Sequence, residues 1–70
     1  MAKFEDVANA LSRRVRDGVY TTSQRLPSEY DLAKEFDVSR LTVRKAIDLL
    51  IRQQLLVKSP GKGTYVMTYS

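Results

Sequence analysis

Arg40 and Arg44 stand four residues apart in the stretch VSRLTVRKA, residues 38–46. On a helix that spacing places two guanidinium groups on one side, one turn apart. Each is a planar, permanently charged fork of donors, suited to O6 and N7 of a guanine or to a phosphate. Leu41 and Lys45 fall on the outer side of the same helix, away from Val43, Ala46 and Ile47. An apolar side chain among cations suits contact with a thymine methyl group, although a single exposed leucine is also ordinary. Arg44 has a local competitor for its charge in Asp48, one turn on, and a surface pair of that kind contributes little. Ser39 is placed to cap the helix with its hydroxyl. Thr42 can reach a phosphate or bond back to its own helix.

Two further groups of residues belong with these. Gly61, Lys62, Gly63 and Thr64 form a loop tip with bare backbone and one cation, a shape that can approach a phosphate or enter a minor groove. Glycine and lysine are equally ordinary in an exposed hairpin turn. Ser28 begins another helix, whose free amides carry partial positive charge and can hold a phosphate. Tyr30, in its first turn, can donate from its phenol or simply stack on the domain surface.

The elements that position these residues follow from periodicity. Phe4, Val7, Ala8, Leu11 and Val15 recur at helical spacing, which predicts an amphipathic helix over residues 4–17 with Gly18 just past its end. TTSQ, residues 21–24, reads as a polar loop. Ser28 followed by Asp31 resembles a capping box, and Leu32, Ala33 and Phe36 give the helix after it an inward face that stops near residues 37–38. Val43, Ala46, Ile47 and Leu50 set a third helix from 40 to about 53. Only a tight turn fits between the last two, the arrangement of a helix-turn-helix. The period then changes: residues 56–59 and 64–68 are rich in β-branched and aromatic residues around Pro60-Gly61-Lys62-Gly63, which predicts a hairpin. Residues 25–27 can add a short third strand that Pro27 ends. The expected fold class is α+β, mainly helical: a winged helix-turn-helix, three helices followed by a two-stranded β-hairpin wing.

Seventy residues form one domain, and a chain of that size buries only about 60% of the surface its unfolded form exposes. The net charge is +4 and is unevenly spread. Residues 1–37 carry six basic and seven acidic side chains, whereas residues 38–70 carry six basic ones against Asp48. Such a bias favours a polyanionic partner, though surface cations also serve solubility. The chain has no cysteine and no histidine, which removes disulfides, thiolate metal sites, and the commonest metal ligand and proton shuttle. The glycine loop lacks the spacing of a phosphate-binding P-loop. Neither an enzyme nor a metal or cofactor is expected. No apolar run is longer than three residues, and the first eight, MAKFEDVA, have no signal-peptide core, so a cytoplasmic location is expected.

The segment LPSEYDLAKEFDVSRLTVRKAIDLLIRQQLLVKSPGKGTYV closely resembles the DNA-binding domain of the GntR family of bacterial transcription regulators. The family elements L-P-S-E, L-A, V-S-R-x-T-V-R-x-A and G-x-G-T-[FY]-V appear as Leu26 to Glu29, Leu32-Ala33, Val38 to Ala46 and Gly61 to Val66. The hydrophobic residue between VSR and TVR is most similar to the HutC-type branch. The resemblance implies a winged helix that binds palindromic operators as a dimer, acting in the bacterial nucleoid and most often as a repressor. It implies a recognition helix in the major groove, with Arg40 and Arg44 on bases or nearby phosphates, and Ser39, Thr42 and the 61–63 wing in support.

The chain departs from that pattern at two positions. Tyr30 stands where many relatives carry arginine. Gln54 stands where many have glycine at the end of the third helix, which implies a left-handed glutamine. Relatives also carry a C-terminal domain that binds a small metabolite and supplies most dimer contacts. With nothing after Ser70 to do either, the chain is expected to be the DNA-binding domain only, and largely monomeric. The alternative reading is a winged helix that binds protein without DNA, for which Leu41 with Ile51 is the sole hint.

Overall fold

The computed structural model describes residues 3–20 and 25–67. The predicted loop at 21–24, and Thr68 at the end of the predicted second strand, lie outside the described residues. Helix α1 spans Phe4–Arg16, α2 Glu29–Phe36 and α3 Arg40–Arg52, followed by strands β1 Leu56–Ser59 and β2 Gly63–Val66. This is the expected winged helix.

Ser28 and Ser39 begin their helices by the same means. The Ser28 hydroxyl accepts from the amide of Asp31 at 3.1 Å, and the Ser39 hydroxyl accepts from the amide of Thr42 at 3.1 Å. Each satisfies a donor that the first turn of a helix leaves unpaired. α1 starts differently, with the Asp6 carboxylate reaching back to accept from the Lys3 amide at 3.2 Å. Between α2 and α3 the chain turns within three residues. Asp37 takes a left-handed conformation, φ 56°, and the Val38 amide donates to the Ala33 carbonyl at 3.0 Å. That closes α2 and turns the chain straight into the Ser39 cap.

Each helix buries one stripe. Val7, Ala8 and Leu11 of α1, Leu32 and Ala33 of α2, and Val43, Ala46, Ile47 and Leu50 of α3 meet in one core, which Tyr20, Leu26, Leu56 and Val66 complete. Leu11, Leu32, Leu50 and Leu56, one from each helix and one from the hairpin, are fully buried. Each contributes about 1.5–3 kcal/mol by leaving water. Phe4, Val15 and Phe36, expected on the inner faces, are half-buried against this core.

The hairpin pairs Leu56 with Val66, Val57 with Tyr65, Lys58 with Thr64 and Ser59 with Gly63. Its turn is closed by the Lys62 amide donating to the Ser59 carbonyl at 3.0 Å. Pro60 has its φ fixed by the ring, and Gly61 supplies the positive φ of 74° that follows it, the pattern of a type II turn. The second strand spans Gly63–Val66, and the Met67 amide donates to the carbonyl of Leu55, its partner in the same register, at 3.0 Å. The third strand predicted at 25–27 is reduced to one bridge between Arg25 and Tyr65, with the Leu26 amide donating to Thr64 at 2.8 Å. Pro27, with no amide proton, ends it there.

Candidate nucleic-acid interface

The inward stripe of α3 leaves the opposite side outside. Ser39, Arg40, Leu41, Arg44 and Lys45 are all exposed, and Leu41 is open to 57%. The hairpin does not cover this face. Arg40 has no hydrogen-bond or ion-pair partner among the described residues. Thr42 is half-buried, and its hydroxyl lies 2.9 Å from that of Ser39. Both hydroxyls are therefore engaged in the cap and retain only part of their capacity for another partner. Ile51 packs against the core, so Leu41 and Ile51 form no joint apolar patch.

Arg44 does not pair with Asp48. Its Nε donates to Oε2 of Glu29 at 3.2 Å and its Nη2 to Oε1 at 3.1 Å, a two-point pair between α3 and the first residue of α2. Asp48 contributes only a weaker, longer-range attraction. The cause is geometric: the tight turn brings the start of α2 against α3, and a fork meeting both oxygens of a carboxylate is a better match than an exposed pair along one helix. The Arg44 side chain nevertheless stays 52% exposed. The hydrogen bonds from Arg44 hold the Glu29 carboxyl below the usual carboxylate range against the opposing effect of partial burial, and the charges of Arg44, Lys58 and Arg40 assist.

The Ser28 hydroxyl is exposed at the start of α2 and is occupied by its own cap. Tyr30 is 55% exposed, and the Lys34 ammonium lies 4.9 Å from the centre of its ring. The pair presents a cation backed by an aromatic face where relatives were expected to present an arginine. At the wing, Gly61 and Lys62 are exposed, whereas Gly63 and Thr64 are half-buried.

Three contributors escaped the sequence reading. Arg25 runs beneath the wing and donates from Nη1 to the Lys62 carbonyl at 3.1 Å. A Cβ on Gly63 would come within 2.4 Å of the Arg25 Cδ, and Gly63 also has φ 124°. The backbone conformation calls for glycine, and any side chain there would also displace Arg25. Glu29 stands in the LPSE motif, yet only its distant partner discloses what it does. Lys58, projecting from β1, adds a cation to a cleft of about 290 Å³ that Arg25, Ser28, Glu29 and Thr64 also line, between the wing and the start of α2.

The arrangement is a cationic helix end flanked by a cationic loop tip, with hydroxyls between. No group of three or more carboxylates suited to a metal ion occurs among the described residues, and no helix there is long and apolar enough to cross a membrane.

Residues 3–66 match the family of bacterial regulatory proteins described as the gntR family. The chain is 40% identical over 67 residues to the HTH-type transcriptional regulator GmuR of Bacillus subtilis (strain 168), covering 96% of this chain and 28% of that protein. It is 38% identical over 63 residues to the histidine utilization repressor of Klebsiella aerogenes, covering 90% and 26%. Among solved structures, the DNA-binding domain of AraR in complex with operator ORE1 superposes with a TM-score of 0.87 at 38% identity, covering 94% of this chain and 80% of that one. The chain thus spans about a quarter of the length of these curated relatives.

Proposed function

This chain belongs to the gntR family of bacterial regulatory proteins, and we propose that it is the operator-reading domain of a transcriptional repressor. Its work is sequence-specific binding of double-stranded DNA and not catalysis. The observation that carries the reading is the uncovered cationic start of α3, where Arg40, Leu41, Arg44 and Lys45 all face outward. AraR, whose DNA-binding domain has the same fold, was solved on its operators.

α3 enters the major groove by its N-terminal end. Arg40 and Arg44 bond base edges or adjacent phosphates, and Leu41 meets a thymine methyl. Ser28, Ser39, Thr42, Tyr30 and Lys45 lie along the phosphate backbone and set the register. The wing tip, Gly61 to Thr64 with Lys62 at its head, rests at the minor groove. Two copies read the halves of a palindrome, joined in the full regulator by a second domain that also binds a small-molecule effector. The site of action is the bacterial cytoplasm, at the nucleoid. As a chain of 70 residues the domain is expected to sediment largely as a monomer at micromolar concentration.

Selection from random duplex DNA tests the reading. One common sequence should emerge, and the logarithm of its affinity should fall with the logarithm of salt by about 0.9 per phosphate neutralised. Affinity indifferent to salt, or a selection that returns no shared sequence, contradicts it.

A further inference from the structure

An arginine has two edges on which it can form paired hydrogen bonds. The side edge is made by Nε and Nη2, and the end edge by Nη1 and Nη2. Glu29 occupies the side edge of Arg44, with Nε 3.2 Å from Oε2 and Nη2 3.1 Å from Oε1. Left over are both protons of Nη1 and the second proton of Nη2. Those two nitrogens form the end edge, whose parallel donors match O6 and N7 of guanine.

We propose that Glu29 is the positioning residue for base readout by Arg44: it holds the side edge so that the end edge meets a guanine in the major groove. The proposal rests on the reading of α3 as the recognition helix and adds the residue that aims it. Three features support it. Glu29 is itself held, as the first residue of α2 beside the Ser28 cap, where the helix dipole favours a negative charge. Its carboxyl is kept ionised by Arg44, Lys58 and Arg40, so it stays an acceptor on both oxygens. And Arg44, although largely exposed, is pre-ordered before DNA arrives, which lowers the conformational entropy lost on binding.

A carboxylate this close to DNA also repels phosphate. Glu29 therefore has opposite effects on the two kinds of binding, weakening contact with arbitrary sequence while sharpening contact with the right one. A residue that merely supported the fold would weaken both together.

The test compares Glu29→Ala, Glu29→Gln, Arg44→Ala and the double substitution Glu29→Ala with Arg44→Ala, each checked by thermal melting. The probes are the duplex selected by the parent chain, that duplex with each base pair replaced in turn, and an unrelated duplex. Arg44→Ala should abolish a preference at one guanine, a loss of roughly five- to hundredfold. Glu29→Ala should reduce the preference at that same guanine severalfold and leave affinity for the unrelated duplex equal or higher, with Glu29→Gln between it and the parent. In the Arg44→Ala background, Glu29→Ala should change no base preference further. The proposal is overturned if Glu29→Ala keeps the parent's preference, or weakens all duplexes alike. It is also overturned if Glu29→Ala acts equally well without Arg44. If Arg44→Ala itself moves no base preference, the reading of Arg44 as a base contact fails first, and the role of Glu29 fails with it.

Discussion

Among the described residues, two arginine–glutamate pairs join one helix to another, and they are built differently. At the rear, Arg14 of α1 bonds Glu35 of α2. Its Nη1 donates to the Tyr20 hydroxyl at 2.9 Å, and its guanidinium lies 5.0 Å from the centre of the Phe36 ring. At the front, Arg44 bonds Glu29 and nothing else among the described residues. The side chain of Arg14 is 30% exposed and that of Arg44 52%. Arg14 spends its charge, donors and flat face inside the protein, and its ionisation is stabilised chiefly by Glu35 and then by Tyr20. Arg44 keeps one edge unspent. The same two side-chain types thus form a clasp where they are enclosed and leave donors open to solvent where they are not.

Exchanging the two arginines for alanine is the strongest way to break this comparison. Arg44→Ala should lower affinity for the selected duplex by roughly five- to hundredfold and barely move the melting temperature, because an exposed pair adds little to stability. Arg14→Ala should do the reverse. It leaves the nearly buried Tyr20 hydroxyl without its partner and removes the cation from the Phe36 face, a cost of about 1–2 kcal/mol. The base preferences of whatever fraction remains folded should be those of the parent. Urea denaturation and duplex titration on both variants measure the crossed pattern. Equal losses in both assays for both variants would mean that the two pairs are not distinct in kind.

The rear clasp and the front contact were not equally legible in the sequence, and neither was fully so. The caps at Ser28 and Ser39, the stripe of α3, the hairpin and the left-handed Gln54, φ 62°, were all readable. They depend on residues a few positions apart, or on a glycine position that this chain fills with glutamine. The partner of Arg44 was not readable. Asp48 was the local choice on the same helix, but Glu29 lies fifteen positions upstream and comes near only because of the tight turn. Arg25, thirty-seven positions from the carbonyl it holds, leaves no local trace at all. In a small domain, periodicity and capping are decided within one turn of chain, whereas the choice among long charged side chains waits for the helices to pack. The exposed, cationic side of α3 was therefore legible, and its internal wiring was not.

The far end of α3 offers a way to alter stability without touching the front contact. Asp37 and Gln54 both adopt positive φ. Aspartate tolerates that region, but a glutamine there bears a strain of roughly 1–2 kcal/mol. Glycine removes the strain and returns part of the gain through a freer unfolded chain, so Gln54→Gly should stabilise the domain by about 0.5–1 kcal/mol. Thermal melting should show a rise of a few degrees, with duplex selectivity unchanged. Asp37→Gly should gain less. A Gln54→Gly chain that melts at or below the parent would mean that the side chain's own contacts outweigh the strain.

The smallest effect concerns pH and acts through the carboxylate of the front pair. Glu29 is held below the usual glutamate range by the Arg44 hydrogen bonds. A carboxyl whose ionised form is favoured by folding adds stability that is fully present above its unfolded value and fades as pH falls through its folded one. The contribution is therefore complete at neutral pH and disappears only in acid, while Arg44 stays charged throughout. Glu29→Gln abolishes the titration. The gap in urea-measured stability between parent and variant should be small at pH 7, because Arg44 is open to solvent, and should close below the usual glutamate range. Preference at the Arg44 guanine should weaken over the same acid interval in the parent and stay flat in Glu29→Gln. A gap that widened toward acid would show that protonated Glu29 still supports the fold through something other than its charge, and would place the front pair with the clasp at the rear.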